Sequence, residues 1–331
     1  MEATPASTYK VWIKMIDYIV IVKHLTCEDT INFANLEAKS HYADTNVYRY
    51  FLNGCKDIEV LYSDTSQVLK IKGSFLYFMY GHNYITTRKG FINAVQAVEE
   101  CLGVELGDAF VDEFEYGAFL DVPGRPKDYI WNHKPLPCAK LAENQRPRDK
   151  GNFKWFEDAL VSLKMYDAKA NYSKKLSKDI KDELVEYGWN PEANYLKFEA
   201  HYKKPHYALN MGKGIRLHEL LTPQWESRLK ADLKRQYKRL FPLERVCTTD
   251  RSTAGVLMCS FVNAGVASGI APEETRKMIY QTLRSPFTPE FSPNDIKARQ
   301  VQFRKLWRSL APISRSPFDL TEILEETLNR Q

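Results

Sequence analysis

Cys55–Tyr62 (CKDIEVLY) and Gln67–Lys72 (QVLKIK) are two strand-like runs parted only by Ser63–Ser66. So short a gap joins neighbouring strands as a hairpin or meander and leaves no room for the crossover of a parallel pair. Ser74–Tyr80 (SFLYFMY) follows Gly73 and reads as a third strand of the same meander. Upstream, Ile16–His24 (IDYIVIVKH) is β-branched and fits a buried strand. Downstream the period changes. Phe91–Leu102 has apolar residues at 91, 92, 95, 98 and 102, which is helical spacing. Phe110–Val122 and Asn194–Tyr202 alternate as strands, and Ala159–Tyr166 is strand-like. Asp179–Tyr187 reads as a short amphipathic helix stopped by Gly188 and Pro191. Pro123–Pro147 holds five prolines and reads as loop, and Asn144–Asn152 is polar and charged. The pattern predicts an α+β fold, an antiparallel sheet flanked by helices, over residues 1–215.

After Leu217 the texture becomes helical and basic. Thr222–Arg239 carries Trp225, Leu229, Leu233 and Tyr237 along one stripe, with Lys230, Lys234, Arg235, Lys238 and Arg239 among its basic residues. Further helices are expected at Ala254–Val266, Ala271–Arg284 and Pro293–Leu310, so residues 216–331 read as a helical C-terminal part. The basic face can neutralise backbone phosphates, or it can be an ordinary solvated face.

The whole chain has 331 residues, 44% hydrophobic and 27% charged, which excludes disorder and collagen-like structure for most of it. A net charge of +5 permits a polyanionic partner without demanding one. The apolar runs are far shorter than the roughly 20 residues of a membrane span, so no membrane association is expected. Met1–Ser7 lacks a basic secretory n-region, and the six cysteines show no CxxC pair. Reduced thiols in a cytoplasmic protein are the expectation.

No P-loop, GxGxxG, HExxH, GxSxG or kinase signature is present. Polar residues beside or within apolar strands remain. His82, in Gly81-His82-Asn83, can present a ring nitrogen to a metal or phosphate, or be a surface turn residue. Glu113 and Glu115 share one face of their strand, where a buried carboxylate would need a partner or cation and a solvated one would not. Tyr166 ends a strand and is followed by Asp167 and Lys169; it fits a nucleophile or a plain strand-end aromatic. Glu199 lies between Lys197 and His201 on one face, opposite Leu196, Phe198 and Ala200.

Taken in order, GSFLYFMYGHN (Gly73–Asn83), EYG (Glu115–Gly117), NHKP (Asn132–Pro135), LKMYDAK (Leu163–Lys169) and LKFEAH (Leu196–His201) resemble the filamentous-phage gene II type replication initiators and their phage and plasmid relatives. The resemblance implies a tyrosine-nuclease-like fold and a rolling-circle initiator acting on double- and single-stranded DNA at a replication origin in a bacterial host cell, with host helicase and polymerase as partners. Its tyrosine nicks one strand, forms a 5′-phosphotyrosyl link, frees a 3′-OH, and later rejoins the displaced strand. The nicking tyrosine maps onto Tyr166, with Lys169 beside it and Tyr172 and Tyr202 as nearby substitutes. Mg²⁺ or Mn²⁺ is implied, and without the paired histidines of the wider superfamily its ligands would be His82, Glu115 and Glu199. The competing reading is a non-catalytic origin-binding initiator or regulator that works through the basic C-terminal part.

Overall fold

The structure is a computed structural model that describes residues 14–42, 46–84, 87–146, 151–242, 246–267, 270, 272–283, 292–312, 316 and 318–329. Met1–Ser7, Pro147 and the expected helix ends Ala271 and Arg284 lie outside the described residues.

In chain order the first strands are β1 (Lys14–His24), β2 (Leu36–Tyr42), β3 (Val47–Leu52), β4 (Ile58–Ser63), β5 (Val68–Gly73), β6 (Phe110–Asp121), β7 (His133–Pro135), β8 (Ala142–Asn144), β9 (Phe153–Glu157), β10 (Val161–Asp167) and β11 (Tyr195–Tyr202). All but β7 join one ten-stranded sheet, ordered β2-β3-β4-β5-β1-β6-β11-β10-β9-β8. Every neighbouring pair in it is antiparallel. β4 and β5 form the expected antiparallel hairpin, with Ser63 opposite Val68, and Ile58, Val60, Leu69 and Ile71 are fully buried on one face. β2 and β3 extend the meander from residues whose sequence gave no strand expectation.

Ser74–Tyr80 is not a strand. Phe75–Tyr80 forms helix α1, because its ends are capped. The Ser74 hydroxyl accepts from the Tyr77 N–H, and Gly81 closes the helix at φ 70°, a left-handed conformation glycine takes without a Cβ penalty. Burial of Phe75, Leu76 and Phe78 on one side then favours the helix over the strand preference of an aromatic run. Helix α2 (Arg88–Leu102) matches its predicted spacing, buries Phe91, Ala94, Val95, Val98 and Leu102, and is capped by Thr87 and Gly103. Pro126 opens a further helix, α3 (Pro126–Asn132), inside the stretch read as loop.

The remaining helices are α4 (Ala168–Lys175), α5 (Lys178–Glu186), α6 (Pro205–Ala208), α7 (Leu217–Leu220), α8 (Pro223–Tyr237), α9 (Thr253–Ala267), α10 (Pro272–Thr282), α11 (Pro293–Arg308) and α12 (Thr321–Asn329). Two short ribbons, β12 (Leu240–Pro242) with β7 and β13 (Val246–Thr248) with β14 (Leu310–Pro312), complete the described strands. α8 and α12, from the C-terminal residues 216–331, pack on the sheet. Phe114 of β6 stacks on Tyr202 of β11 at 4.7 Å, Phe198 meets Tyr237 of α8 at 5.6 Å, and the Tyr202 hydroxyl donates to Asp232 of α8 at 2.6 Å. Leu320, Leu324 and Leu328 bring the C-terminal helix into the same core. α9, α10 and α11 pack among themselves and with β13 and β14. No described helix is long and apolar enough to cross a membrane, and the six cysteines are free thiols.

This arrangement gives β6 and β11 two unlike faces. Phe114, Tyr116, Phe198, Ala200 and Tyr202 lie under α8 and α12, while Glu113, Glu115, Gly117, Lys197, Glu199 and His201 lie on the other side.

Candidate active site

Asp17 enters this second face through a bulge. Ile16 pairs with Tyr116 and Ile19 with Phe114, so Asp17 and Tyr18 together oppose Glu115 alone. The extra residue re-aims the local side chains. An unpartnered carboxylate within so apolar a strand would cost several kcal/mol. Asp17 is instead held by the Ser74 hydroxyl at 3.0 Å, the Asn83 side-chain amide, and the Lys197 ammonium at 2.7 Å. Burial pushes its pKa up, but the Lys197 charge and these hydrogen bonds outweigh that and leave it below the usual aspartate value.

Register builds the rest. Glu199 stands between Gly117 of β6 and Lys164 of β10, and Lys197 between Phe119 and Tyr166. A Cβ on residue 117 would lie 2.6 Å from the Glu199 Cβ, so only glycine leaves room for that carboxylate. The ammonium of Lys197, 1% exposed, donates to Asp17 and, at 2.9 Å, to Glu199. Lys164 pairs with Glu115 and lies 3.6 Å from Glu199. Burial would lower both lysines, but the carboxylates around them hold both above the ordinary value, Lys197 well above it. Glu115 is pushed up to about 7 by burial and by the Glu199 charge, against the pull of Lys164.

One oxygen from each of Asp17, Glu115 and Glu199 lies within 4.8 Å of the other two. A hard divalent cation bonded to oxygen at about 2.0–2.6 Å can span such a set, so the donors fit Mg²⁺ or Mn²⁺. The two lysines leave one carboxylate charge unbalanced when all three acids are ionised.

Tyr166 borders a cavity of about 610 Å³ that Asp17, Tyr77, Asn83 and Glu115 also line. Its ring is half-buried and its hydroxyl turns inward to donate to Glu199 Oε2 at 3.1 Å. Burial and the Glu199 charge hold the phenol well above its usual pKa, while Lys197, 5.5 Å from the ring centroid, opposes them.

The structure thus gathers Tyr166, Glu115 and Glu199, but not the other expected residues. His82 follows a helix rather than a strand. Buried at 4% exposure, it accepts the Tyr84 N–H at Nδ1 (3.3 Å), and burial lowers its pKa with Glu183 as the opposing charge. It is outside the carboxylate cluster; Asp17 takes its place, and its neighbour Asn83 is the GHN residue that reaches the site. Lys169 lies on α4 and donates to the Glu192 carbonyl at 3.0 Å, because Asp167 caps that helix and turns the chain away. Lys197 and Lys164 are the cations beside Tyr166 and the carboxylates. Tyr202 is on the far face and Tyr172 donates to the Lys181 carbonyl, so neither substitutes geometrically for Tyr166.

The basic residues of α8 lie across the sheet from Tyr166. Lys230 pairs with Glu226, Arg235 with Asp232, and Arg239 with Asp158; Lys234 is half-buried and Lys238 exposed. Sequence reading missed Asp17, although an acid within IDYIVIVKH was a signal, and it passed over Lys164 in LKMYDAK. No protein-family model and no curated protein matches the chain.

Proposed function

We propose that the chain is a nicking–joining DNA enzyme with Tyr166 as nucleophile, of the rolling-circle initiator type that its ordered motifs resemble. The observation that carries this reading is the hydrogen bond from the Tyr166 hydroxyl to Glu199, a member of the carboxylate cluster, at the wall of an open cavity. A hydroxyl turned inward needs an acceptor in any case; the support here is that this acceptor is a carboxylate flanked by Lys197 and Lys164.

In this reading the Tyr166 oxygen attacks a backbone phosphorus while Glu199 Oε2, already its acceptor, takes the phenol proton. The bond from phosphorus to the 3′ oxygen breaks, the 3′ oxygen takes up the proton that Glu199 received and leaves as a hydroxyl, and the 5′ phosphate remains on Tyr166. Attack by a 3′-OH reverses the step and joins the strand, so bond energy is conserved and no nucleotide-binding motif is required. Lys197 stabilises negative charge on the phenol oxygen, and Lys164 holds Glu115 in place. A divalent cation on Asp17, Glu115 and Glu199 would polarise the phosphate and offset the raised pKa of the tyrosine.

The α8 lysines sit on the opposite sheet face, so they are not the contacts that hold DNA at Tyr166. The non-catalytic alternative, which works through that helix, gives no role to the contact between Tyr166 and Glu199. The test is incubation with supercoiled plasmid bearing the cognate origin and Mg²⁺ or Mn²⁺: open circles with protein joined to a 5′ end support the reading. Supercoiled DNA left intact under both metals contradicts it.

A further inference from the structure

Next to Tyr166 the open sheet face becomes aromatic. β9 alternates strictly: Lys154 and Phe156 are fully buried beneath the sheet, and Phe153 and Trp155 stand half-exposed on the Tyr166 side. Register sets Phe153 opposite Tyr166 and Trp155 opposite Lys164. Ring centroids are 6.0 Å apart for Tyr166–Phe153 and 5.5 Å for Phe153–Trp155, so the three rings form one contiguous aromatic patch beside the cluster. Arg146, just beyond β8, lays its guanidinium over both outer rings, 5.0 Å from Phe153 and 5.8 Å from Trp155. The guanidinium covers these ring faces in the free chain, so a base that stacks on them takes its place or lies against it.

We propose that Phe153, Trp155 and Arg146 form a nucleobase-stacking subsite that holds an unpaired base of single-stranded DNA beside the phosphodiester presented to Tyr166. The identity of the occupant follows from three features together. The rings offer π-faces, which every base can use without sequence reading. Arg146 can stack on a base or pair bidentately with its phosphate, whereas lysine offers only a point charge. The subsite is continuous with the attacking residue, so a base on Phe153 belongs to a nucleotide adjoining the reacting one. A duplex hides its base faces in its own stack, so this surface selects melted over paired DNA. The placement beside a reacting phosphate rests on the nicking proposal above; the stacking itself does not.

The test measures affinity for a short single-stranded oligonucleotide and for its duplex by fluorescence anisotropy, with EDTA present to prevent turnover. W155L keeps apolar volume and W155F keeps a ring. The expected result is a loss of about tenfold in single-strand affinity for W155L and for F153L, near-unchanged affinity for W155F, and unchanged duplex affinity throughout. R146K is expected to weaken single-strand binding although it keeps the charge. Unchanged single-strand affinity in W155L and F153L, in proteins whose melting confirms folding, overturns the subsite. Equal loss on single strand and duplex overturns it as well, since that is not stacking. Covalent capture of DNA by the wild-type chain is scored separately. Capture with ring-insensitive binding sinks the subsite and leaves the nicking reading intact; ring-dependent binding without capture does the reverse.

Discussion

Glu115 shows what a single residue contributes. Its carboxyl titrates near 7 in the folded chain, against about 4.5 for an ordinary glutamate, because burial and Glu199 both disfavour its charge. The folded state therefore binds more protons than the unfolded state between those two values. Stability from this group is present at low pH and falls as pH rises from about 4.5 through 7. Glu115→Gln should remove that slope from a denaturation series run across the window; an unaltered slope would show that Glu115 does not carry it. Mn²⁺ affinity should climb with pH through the same range, since the ligand must lose its proton before it binds. Titration calorimetry at several pH values checks this, with flat affinity as the contrary outcome. Tyr116 makes a different case. Among the described residues its hydroxyl is the buried side-chain polar atom without a hydrogen-bond partner, under α8. Tyr116→Phe should raise stability by about 1 kcal/mol or leave it unchanged. A loss above that, read by urea denaturation, would mean that the hydroxyl has a partner.

At the scale of elements, what could be read from sequence depended on whether local pattern and local caps agreed. Phe91–Leu102, Phe110–Val122 and Asn194–Tyr202 carry their period openly, and each formed the expected element. SFLYFMY did not, because a run of apolar residues fits either period, and Ser74 and Gly81 decided it at its ends. The position of α8 was illegible for another reason. Its stripe of Trp225, Leu229, Leu233 and Tyr237 declares a buried face without saying what covers it, and the cover is the underside of the sheet. Its lysines consequently project away from Tyr166. Replacing Lys230, Lys234 and Lys238 by Glu should leave the salt dependence of nicking unchanged. A flattened slope in the variant would restore α8 as a phosphate contact.

At the scale of the molecule, the sheet assembles a site whose parts are far apart in sequence. Asp17, Glu115, Tyr166 and Glu199 come from four strands, adjacent as β1-β6-β11-β10. Glu115, Tyr166 and Glu199 could be named from ordered motifs. Asp17 could not be matched to them, because its orientation depends on a bulge against β6, a long-range register that no local spacing encodes. The same register replaced His82 with Asp17 and Lys169 with Lys197 at the cluster. The most direct test of the central claim is the site of covalent attachment. The wild-type chain is incubated with Mn²⁺ and a randomised single-stranded DNA pool; the adduct is digested and the modified peptide sequenced by mass spectrometry. The expected product is a 5′-phosphate on Tyr166, absent from Tyr166→Phe, whose stability should differ from wild type by only about 1 kcal/mol. An adduct on another residue, or one that persists in a folded Tyr166→Phe protein, would contradict Tyr166 as the nucleophile.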